Sequence, residues 1–322
     1  MKKALSTLLR SKESVVLAII IVFVLILSFG SDTFINKTNF ESLQTSIAPS
    51  AIIAVGMMIL LISGVFDLSV GSIMGLSGVV VSFLLMYGLP VPLAIAGGLG
   101  VGIVFGLFNG FLVAFVGVNP LIATIGTLYI GRGLVNALLR GERSYGVPFS
   151  QQSFIILGTG KTFGLYNMFW IMLLIVIIAQ FVTQRTYIGR QLYYIGGNKE
   201  SARLVGIKVR KIRVITYALS GFLASLAGLL ATARFEVSSK HLGSNLELQI
   251  IIACLIGGAS IAGGQGSIIG GLLGVMFMSL IVNLFNIMEI SSFWQNLVVG
   301  FILIFVVFLD SFLNMRRQRK LL

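Results

Sequence analysis

The amino-acid sequence predicts an all-α integral membrane protein with about ten transmembrane helices and both termini in the cytoplasm. The chain of 322 residues is 57% hydrophobic and only 10% charged, whereas a soluble domain has about 25% charged residues. Apolar runs of about 16 to 25 residues recur along the whole chain, and a run of that length suffices for one or more helical crossings of a bilayer. Residues 1–322 are therefore predicted to form a single transmembrane domain, with no room for a soluble catalytic domain.

The apolar runs define ten predicted spans. Six runs hold one span each: 15–29, 91–116, 121–139, 167–183, 214–233 and 293–309. Two longer runs hold two spans each, and each is broken by a segment of small and polar residues: 46–88, broken at SGVFDLSVGS (63–72), and 250–288, broken at GGASIAGGQGS (257–267). No signal-peptidase motif follows the first run, so we expect an uncleaved span there. Polar loops are predicted between these runs: 31–45, 140–166 and 234–249.

The distribution of basic residues orients the predicted spans. The segment 185–213 carries eight Lys and Arg residues and one acid, Glu200. Loops rich in Lys and Arg remain on the cytoplasmic side, and ten spans place this loop and both termini there. The basic termini are interpreted in the same way, with attraction to anionic membrane lipid and without a nucleic-acid partner. The sixth predicted span separates spans two to five from spans seven to ten, so the two sets of four spans run in opposite senses. This arrangement allows an inverted repeat.

The loop 185–213 contains a predicted short helix. Asn198 is a suitable N-cap, and Gly206 is a suitable end because glycine adopts a positive φ without strain. A helix of about two turns is unstable alone and needs a packing partner. Apolar side chains for such a contact come from Leu204, Val205 and Ile207. Two interpretations remain open on this pattern: the helix docks on a soluble cytoplasmic partner, or it packs back on its own membrane domain.

Asp67 is the one acid in the apolar stretch 46–88. A charged residue within a membrane is costly and is a functional-site candidate by default. The simpler interpretation is that its carboxylate caps the helix that follows the break, close to the amides of Ser69 and Val70. The second is that it lines a polar translocation path together with Ser69 and Ser72, and the two interpretations are compatible.

Uncharged amide side chains lie within or beside several spans, and Asn109 is a candidate for the same path. Such amides often hydrogen-bond between membrane helices, and they also suit a neutral polar solute. The shortage of buried acids and histidines argues against proton-driven transport. Arg132 lies inside a span, and we expect it to extend towards the outer membrane surface.

Five basic residues fall in the predicted extracytoplasmic segments: Arg140, Arg143, Lys161, Arg234 and Lys240. They are interpreted either as ordinary solvated charge or as a docking rim for an acidic partner. The sequence carries none of the common motifs of zinc peptidases, serine hydrolases or P-loop nucleotide-binding proteins. Its single histidine and single cysteine exclude a His-rich metal site and an intrachain disulfide. We predict no enzyme activity and no cofactor bound by this chain.

Five sequence blocks, in order along nearly the whole chain, resemble the membrane permeases of ribose-type sugar importers driven by an ATP-binding cassette (ABC) ATPase. They are SGVFDLSVGS (63–72), NPLIATIGTL (119–128), IGGNKESARLVGI (195–207), YALSGFLASLAG (217–228) and LELQIIIACLIGGASIAGGQGS (246–267). The wider family includes permeases for branched-chain amino acids and nucleosides. The DLSVGS block is similar to the branch for sugars and autoinducer-2.

The resemblance implies a multi-pass subunit in the bacterial cytoplasmic membrane. Its implied partners are a second permease chain, identical or paralogous, a cytoplasmic ATPase that binds ATP and Mg²⁺, and an extracytoplasmic sugar-binding protein. In such permeases the cytoplasmic loop couples to the ATPase, which implies that role for seven residues: Gly197, Asn198, Ser201, Ala202, Arg203, Gly206 and Ile207. The outer basic residues become candidates for contact with the binding protein.

Two departures from the family pattern bear on the solute. Val65 and Phe66 stand where the family usually has Gly-Ile, and Gln249 stands where an acid is common. The solute of a relative is therefore not transferred to this chain on the resemblance alone. Another small polar solute, such as a nucleoside or autoinducer-2, remains an alternative, and a secondary transporter remains a more distant one.

Overall fold

The structure of the protein is a computed structural model that describes residues 12–142 and 144–319. Within these ranges the α-helices are α1 (Lys12–Gly30), α2 (Asp32–Ile35), α3 (Lys37–Ile62), α4 (Val70–Met86), α5 (Val91–Phe111), α6 (Pro120–Leu139), α7 (Gln152–Thr159), α8 (Asn167–Arg185), α9 (Tyr187–Gly197), α10 (Lys199–Leu204), α11 (Val209–Phe235), α12 (Leu246–Ile256), α13 (Ile268–Ile287) and α14 (Ser292–Arg319). A π-helical turn, Leu112–Val116, extends α5. The strands are β1 (Ser144–Gly146), β2 (Lys161–Thr162), β3 (Leu165–Tyr166) and β4 (Val237–Ser239).

A helix stands at each predicted span, so the prediction of a helical multi-pass membrane protein is confirmed. Seven of the described helices are long and apolar enough to cross a membrane: α1, α3, α5 with its π turn, α6, α8, α11 and α13. The apolar helices α4 and α12 and the apolar part of α14 are shorter. The short α4 and α12 each follow one of the two most buried of the seven long helices, α3 and α11.

Two predicted loops are partly wrong, because helices occupy residues predicted to lie in them. The segment 31–45 is helical over most of its length, because α2 occupies Asp32–Ile35 and α3 begins at Lys37. Its polar residues bind the outer segment: Gln44 accepts a hydrogen bond from the backbone amide of Tyr166 at 3.0 Å. Likewise α12 begins at Leu246, inside the predicted loop 234–249. In the first segment, helix continues past the apolar run because polar side chains such as Gln44 and Glu41 find partners within the protein.

Helices α3 and α11 form the centre of the domain. In α3, 83% of the most apolar window is buried inside the protein, and in α11 67% is buried, against 17% to 28% in α1, α5, α6 and α8. The two helices pack against each other and are surrounded by the remaining spans. An environment so enclosed explains why α3 is apolar or small on every face from Ala48 to Ile62.

A stripe of glycines fixes the distance between α5 and α11. Gly98, Gly102, Gly106 and Gly110 are buried and recur at every fourth position of α5, so they share one face of the helix. A Cβ atom at Gly102 would overlap the backbone carbonyl of Gly221 on α11, and a Cβ at Gly106 would overlap that of Tyr217. Small residues allow this approach where no hydrophobic effect drives helices together.

The outer segment between α6 and α8 is ordered by short secondary structure. Strand β1 pairs with β4 in antiparallel register, Ser144 opposite Ser239, and β2 pairs with β3, Lys161 opposite Tyr166. Helix α7 lies against the end of α11, where Gly158 approaches the backbone of Arg234. The predicted loop 140–166 is therefore a small cap over one end of the helical domain.

The glycine stripe yields a stability prediction. Gly102→Ala places a methyl group against the Gly221 carbonyl, and overpacking of this kind costs about 1–3 kcal/mol. We expect a lower melting temperature of the purified protein in detergent. The control is Gly100→Ala on the same helix, where a Cβ meets no atom within 4 Å. Equal destabilisation by both substitutions would contradict the assigned α5–α11 contact.

Candidate functional site

The basic loop 185–213 folds into two helices, α9 and α10, joined at Asn198. The Thr186 side chain accepts a hydrogen bond from the Gly189 amide at 3.2 Å and starts α9. Asn198 Oδ1 accepts from the amides of Glu200 at 3.0 Å and Ser201 at 2.9 Å and starts α10. The predicted N-cap is confirmed.

The predicted helix end at Gly206 is also present. Gly206 has φ +83°, in the left-handed region that glycine enters without strain. Its amide donates to the carbonyl of Arg203 at 3.0 Å, and the amide of Ile207 donates to that of Ala202 at 3.1 Å. These bonds satisfy carbonyl groups that the end of a helix leaves free.

One face of α10 packs on its own domain and the other is exposed. Ala202 and Ile207 are 2% and 8% exposed and pack with Ile195 and Val209. Ile207 therefore follows the interpretation in which the helix packs back on its own domain, because the chain turns inward after Gly206. Leu204 and Val205 are 88% and 74% exposed and form the apolar tip of the loop. The two interpretations offered by the sequence thus apply to opposite faces of one helix.

The remaining predicted coupling residues surround this tip. Those with exposed positions are Gly197, Asn198, Ser201, Arg203 and Gly206. Arg203 pairs with Glu200 at 3.3 Å, and an exposed pair of this kind contributes little stability. The pKa of Lys199 is lowered by partial desolvation and by the nearby charges of Arg213 and Arg203. The surface beside the tip is therefore positively charged and suits an acidic partner.

The end of α9 touches both breaks in the helical domain. Gly196 lies so close to the segment after α3 that a Cβ would overlap the Ile62 carbonyl, and it also approaches the amide of Gly264. That amide donates to the same Ile62 carbonyl at 2.9 Å. Gly64 lies against Gly196 as well. The cytoplasmic loop, the α3–α4 break and the α12–α13 break therefore meet at one backbone contact.

Backbone conformation at this contact requires glycine. Gly64, Gly263 and Gly264 have φ of +78°, +88° and +73°, a region that costs other residues free energy. The Tyr193 hydroxyl donates to the carbonyl of Gly266 at 2.9 Å and holds α9 against the second break. We call this cluster of residues 62–64, 193–196 and 263–266 the glycine junction.

Asp67 forms a hydrogen-bonded cluster in the first break. Its Oδ1 accepts from the Ser69 amide at 2.8 Å and from the Ser69 hydroxyl at 2.6 Å. Asn109 Nδ2 on α5 donates to Ser69 Oγ at 2.9 Å and lies 3.4 Å from Asp67 Oδ1. Thr127 on α6 donates to Asn109 Oδ1 at 2.8 Å. The cluster joins the start of α4 to α5 and α6, and the bond to the Ser69 amide supports the capping interpretation.

The cluster is enclosed by protein. The predicted path residues are all 0% exposed: Asp67, Ser69, Ser72 and Asn109. The Tyr217 hydroxyl on α11 donates to the carbonyl of Phe66 at 2.9 Å and covers the break from the other side. A role of these residues in translocation stays a prediction, because in this conformation their polar groups face one another.

Arg132 Nη1 donates to the carbonyl of Leu242 at 2.8 Å, in the segment before α12. Its extension towards the outer membrane surface stays a prediction. Glu247, in the first turn of α12, is 8% exposed, and its carboxylate lies against Gly71 of α4. Sequence reasoning missed this buried acid because it fell in a segment predicted to be a polar loop.

The outer basic residues divide into two groups. Lys161 pairs with Glu41 at 2.6 Å, and Arg234 donates to the Tyr166 hydroxyl at 2.9 Å and lies over its ring. The bond to Glu41 raises the pKa of Lys161. Arg140 and Lys240 are exposed. Arg143 lies outside the described residues.

The fold and the loop define a multi-pass membrane transport subunit, and comparison with known proteins assigns its family. The family model described as branched-chain amino acid transport system / permease component matches residues 39–307. The chain therefore belongs to this family of ABC-importer permeases. It is a transport subunit of the bacterial cytoplasmic membrane and not an enzyme.

Several relatives match over almost their whole length. The ribose import permease protein of Haemophilus influenzae is 34% identical over 92% of this chain and 93% of its own. The L-arabinose ABC transporter permease protein of Azospirillum brasilense is 33% identical over 97% and 91%. The autoinducer 2 import system permease protein of an Escherichia coli strain is 30% identical over 94% and 89%. No solved structure matches the chain at a significant level.

The Asp67 cluster yields a stability prediction that distinguishes the role of Asp67 as a hydrogen-bond acceptor from the role of its negative charge. Asp67→Leu leaves the donors of Ser69 and Asn109 buried without their acceptor, at a cost of about 1–3 kcal/mol. We expect a clear fall in melting temperature in detergent. Asp67→Asn keeps an oxygen at the Oδ1 position and is expected to retain most of the stability. An equally large fall for both variants would show that the charge, and not the acceptor, holds the break.

Proposed function

We propose that the chain is the permease subunit of an ABC importer for a sugar or sugar-like solute. The observation that carries the proposal is the exposed apolar tip of α10. The opposite face of α10 is buried against the membrane domain, and the preceding helix α9 contacts both helix breaks at the glycine junction. Such a loop is suited to receive movement from a soluble partner. Relatives named for ribose and L-arabinose support the class of solute. The relative named for autoinducer 2 supports the alternative of a different small polar solute.

In the proposed topology, the chain crosses the membrane ten times and has both termini in the cytoplasm. Seven long apolar helices and three shorter ones provide the crossings. The glycine junction joins α9 to the ends of α3 and α12, so all three lie on the side of the basic loop. That arrangement agrees with the positive-inside rule. Inverted-repeat transporters also contain broken helices of this kind.

The proposed assembly contains two permease chains, a cytoplasmic ATPase and an extracytoplasmic binding protein. A second permease, either another copy or a paralogue, lies beside this one in the membrane. A cytoplasmic ATPase binds ATP and Mg²⁺ and contacts α10 through Leu204, Val205 and the exposed residues around them. An extracytoplasmic binding protein delivers the solute. On the outer face Arg140 and Lys240 are the proposed contacts, while Lys161 and Arg234 mainly hold the outer cap together.

The proposed mechanism is alternating access driven through the glycine junction. Movement of the ATPase displaces α10 and the end of α9. Because Gly196 is in backbone contact with both breaks, the displacement reaches the start of α4 and the end of α12 together. The Asp67 cluster keeps the α4 start attached to α5 and α6, so these helices move as one body beside the solute route.

The coupling surface is tested by Leu204→Glu. Leu204 is 88% exposed, so the substitution leaves the packing of the membrane domain intact. Placing a charge in a desolvated interface removes a central contact, and losses of about tenfold or more in affinity are common for such positions. We expect the tagged variant, purified in mild detergent, to recover about a tenth of the ATPase that the unaltered chain recovers, as quantified by mass spectrometry.

The matched control is Phe149→Glu, an equally drastic change at a residue that is 80% exposed on the outer cap. It is expected to leave ATPase recovery unchanged. Full recovery of the ATPase with Leu204→Glu, or its absence from the unaltered preparation, contradicts the proposed coupling surface.

The outer contact is tested by charge reversal. The double variant Arg140→Glu/Lys240→Glu changes two exposed side chains, so we expect normal expression. If the binding protein presents an acidic surface, opposite charges across the interface accelerate association. The expected result is slower binding-protein association on a biosensor, with the difference shrinking as salt is raised. A rate equal to that of the unaltered chain would assign these residues to ordinary solvated charge.

A further inference from the structure

A small polar cavity lies among α3, α12 and α13. Its volume is about 50 Å³, and four neutral polar side chains face it: Ser46, Ser50, Gln249 and Ser279. The rest of its wall is apolar, and no charged side chain contributes to it. Ser50 and Ser279 lie at about the midpoints of their helices, which for membrane-spanning helices places the cavity near the middle of the bilayer.

The polar groups of this cavity are available for a ligand. Across residues 12–142 and 144–319, no hydrogen bond is assigned to the side chains of these four residues; Ser46 is exposed, and Ser50 and Gln249 are half-buried. In the Asp67 cluster, in contrast, Asp67 Oδ1 and the side chains of Ser69, Asn109 and Thr127 bond to one another, and within the described residues only Asp67 Oδ2 of these groups lacks a partner. In the membrane interior polar side chains face the bundle or a water-filled cavity. Four unpaired groups from three helices around one space are therefore suited to water or to a hydroxylated solute.

We infer that this cavity is the closed constriction of the solute route, with Gln249 as its hydrogen-bonding residue. The inference rests on the proposed function and gives that function a location. A volume of about 50 Å³ holds a few water molecules, whereas ligand sites are typically about 300 Å³ or more. The route is therefore shut in this conformation. Neutral donors and acceptors without a charge suit a neutral polyhydroxylated solute.

The position of α12 connects this constriction to the cytoplasmic loop. Gln249 lies in the first half of α12, and the segment after its end reaches the glycine junction. Helix α12 has only eleven residues, with irregular segments on both sides. A displacement of Gly196 moves this short helix relative to α3 and α13, which widens or narrows the space in front of Gln249.

Cysteine accessibility in the assembled importer tests the inference. Ser50→Cys and Ser279→Cys are exposed in membrane vesicles to methanethiosulfonate ethylammonium, a water-soluble reagent of about the size of a pentose, during turnover with Mg-ATP and binding protein. Only a hydrated thiol ionises and reacts rapidly. We expect both sites to react about tenfold faster or more than the controls. Reaction at the control rate would overturn the inference.

The chain supplies its own controls for this experiment. The native Cys254 lies on α12 but is 0% exposed, and Ser82→Cys places a second thiol at a 0% exposed position on α4. A companion measurement is uptake of D-ribose and L-arabinose by Gln249→Leu, with Leu248→Met as the neighbouring control. We expect about tenfold slower uptake for Gln249→Leu, from loss of the hydrogen-bonding group that faces the cavity; a normal rate would count against Gln249.

The outcomes separate this inference from the proposed function. The rate of labelling does not depend on which solute is carried, so it tests the position of the route by itself. If the unaltered importer transports neither sugar, that result counts against the sugar assignment only. Conversely, normal sugar uptake with unreactive Ser50→Cys and Ser279→Cys keeps the importer and places its route elsewhere.

Discussion

The backbone contact at Gly196 is the constraint on which the rest of the structure depends. No side chain separates α9 from the Ile62 carbonyl, so the cytoplasmic loop is in direct contact with the two places where the central helices are interrupted. The hydrogen bond from Gly264 to Ile62 joins those two breaks to each other. A stiff contact without flexible side chains transmits small displacements, because closely packed groups have little room to absorb them.

Two similar pairs of helices are arranged around this contact. In each pair a long, largely buried helix is followed by a short one: α3 by α4, and α11 by α12. A buried acid lies near the start of each short helix, Asp67 before α4 and Glu247 within α12. Both acids lie beside neighbouring spans, one bonded to Asn109 and the other near Arg132. This correspondence supports the inverted repeat that the order of spans suggested.

Much of the architecture could be predicted from the sequence, because long apolar runs and clustered basic residues carry strong local signals. The cap at Asn198 and the stop at Gly206 were predictable for the same reason, since both depend on residues a few positions apart. The burial of Ile207, the contact of Arg132 with Leu242 and the cavity around Gln249 were not. Each depends on segments far apart in the chain, and polar residues such as Glu247 carry the same local signal in a loop as in a buried helix.

The central claim is that this chain transports only as part of an ATP-driven assembly. The most direct measurement is solute uptake into proteoliposomes that contain the permease alone or together with its ATPase and binding protein, with and without Mg-ATP. The account predicts uptake of a sugar or sugar-like solute only when all components and Mg-ATP are present. Uptake by the permease alone, driven by an ion or solute gradient, would contradict it and would identify a secondary transporter.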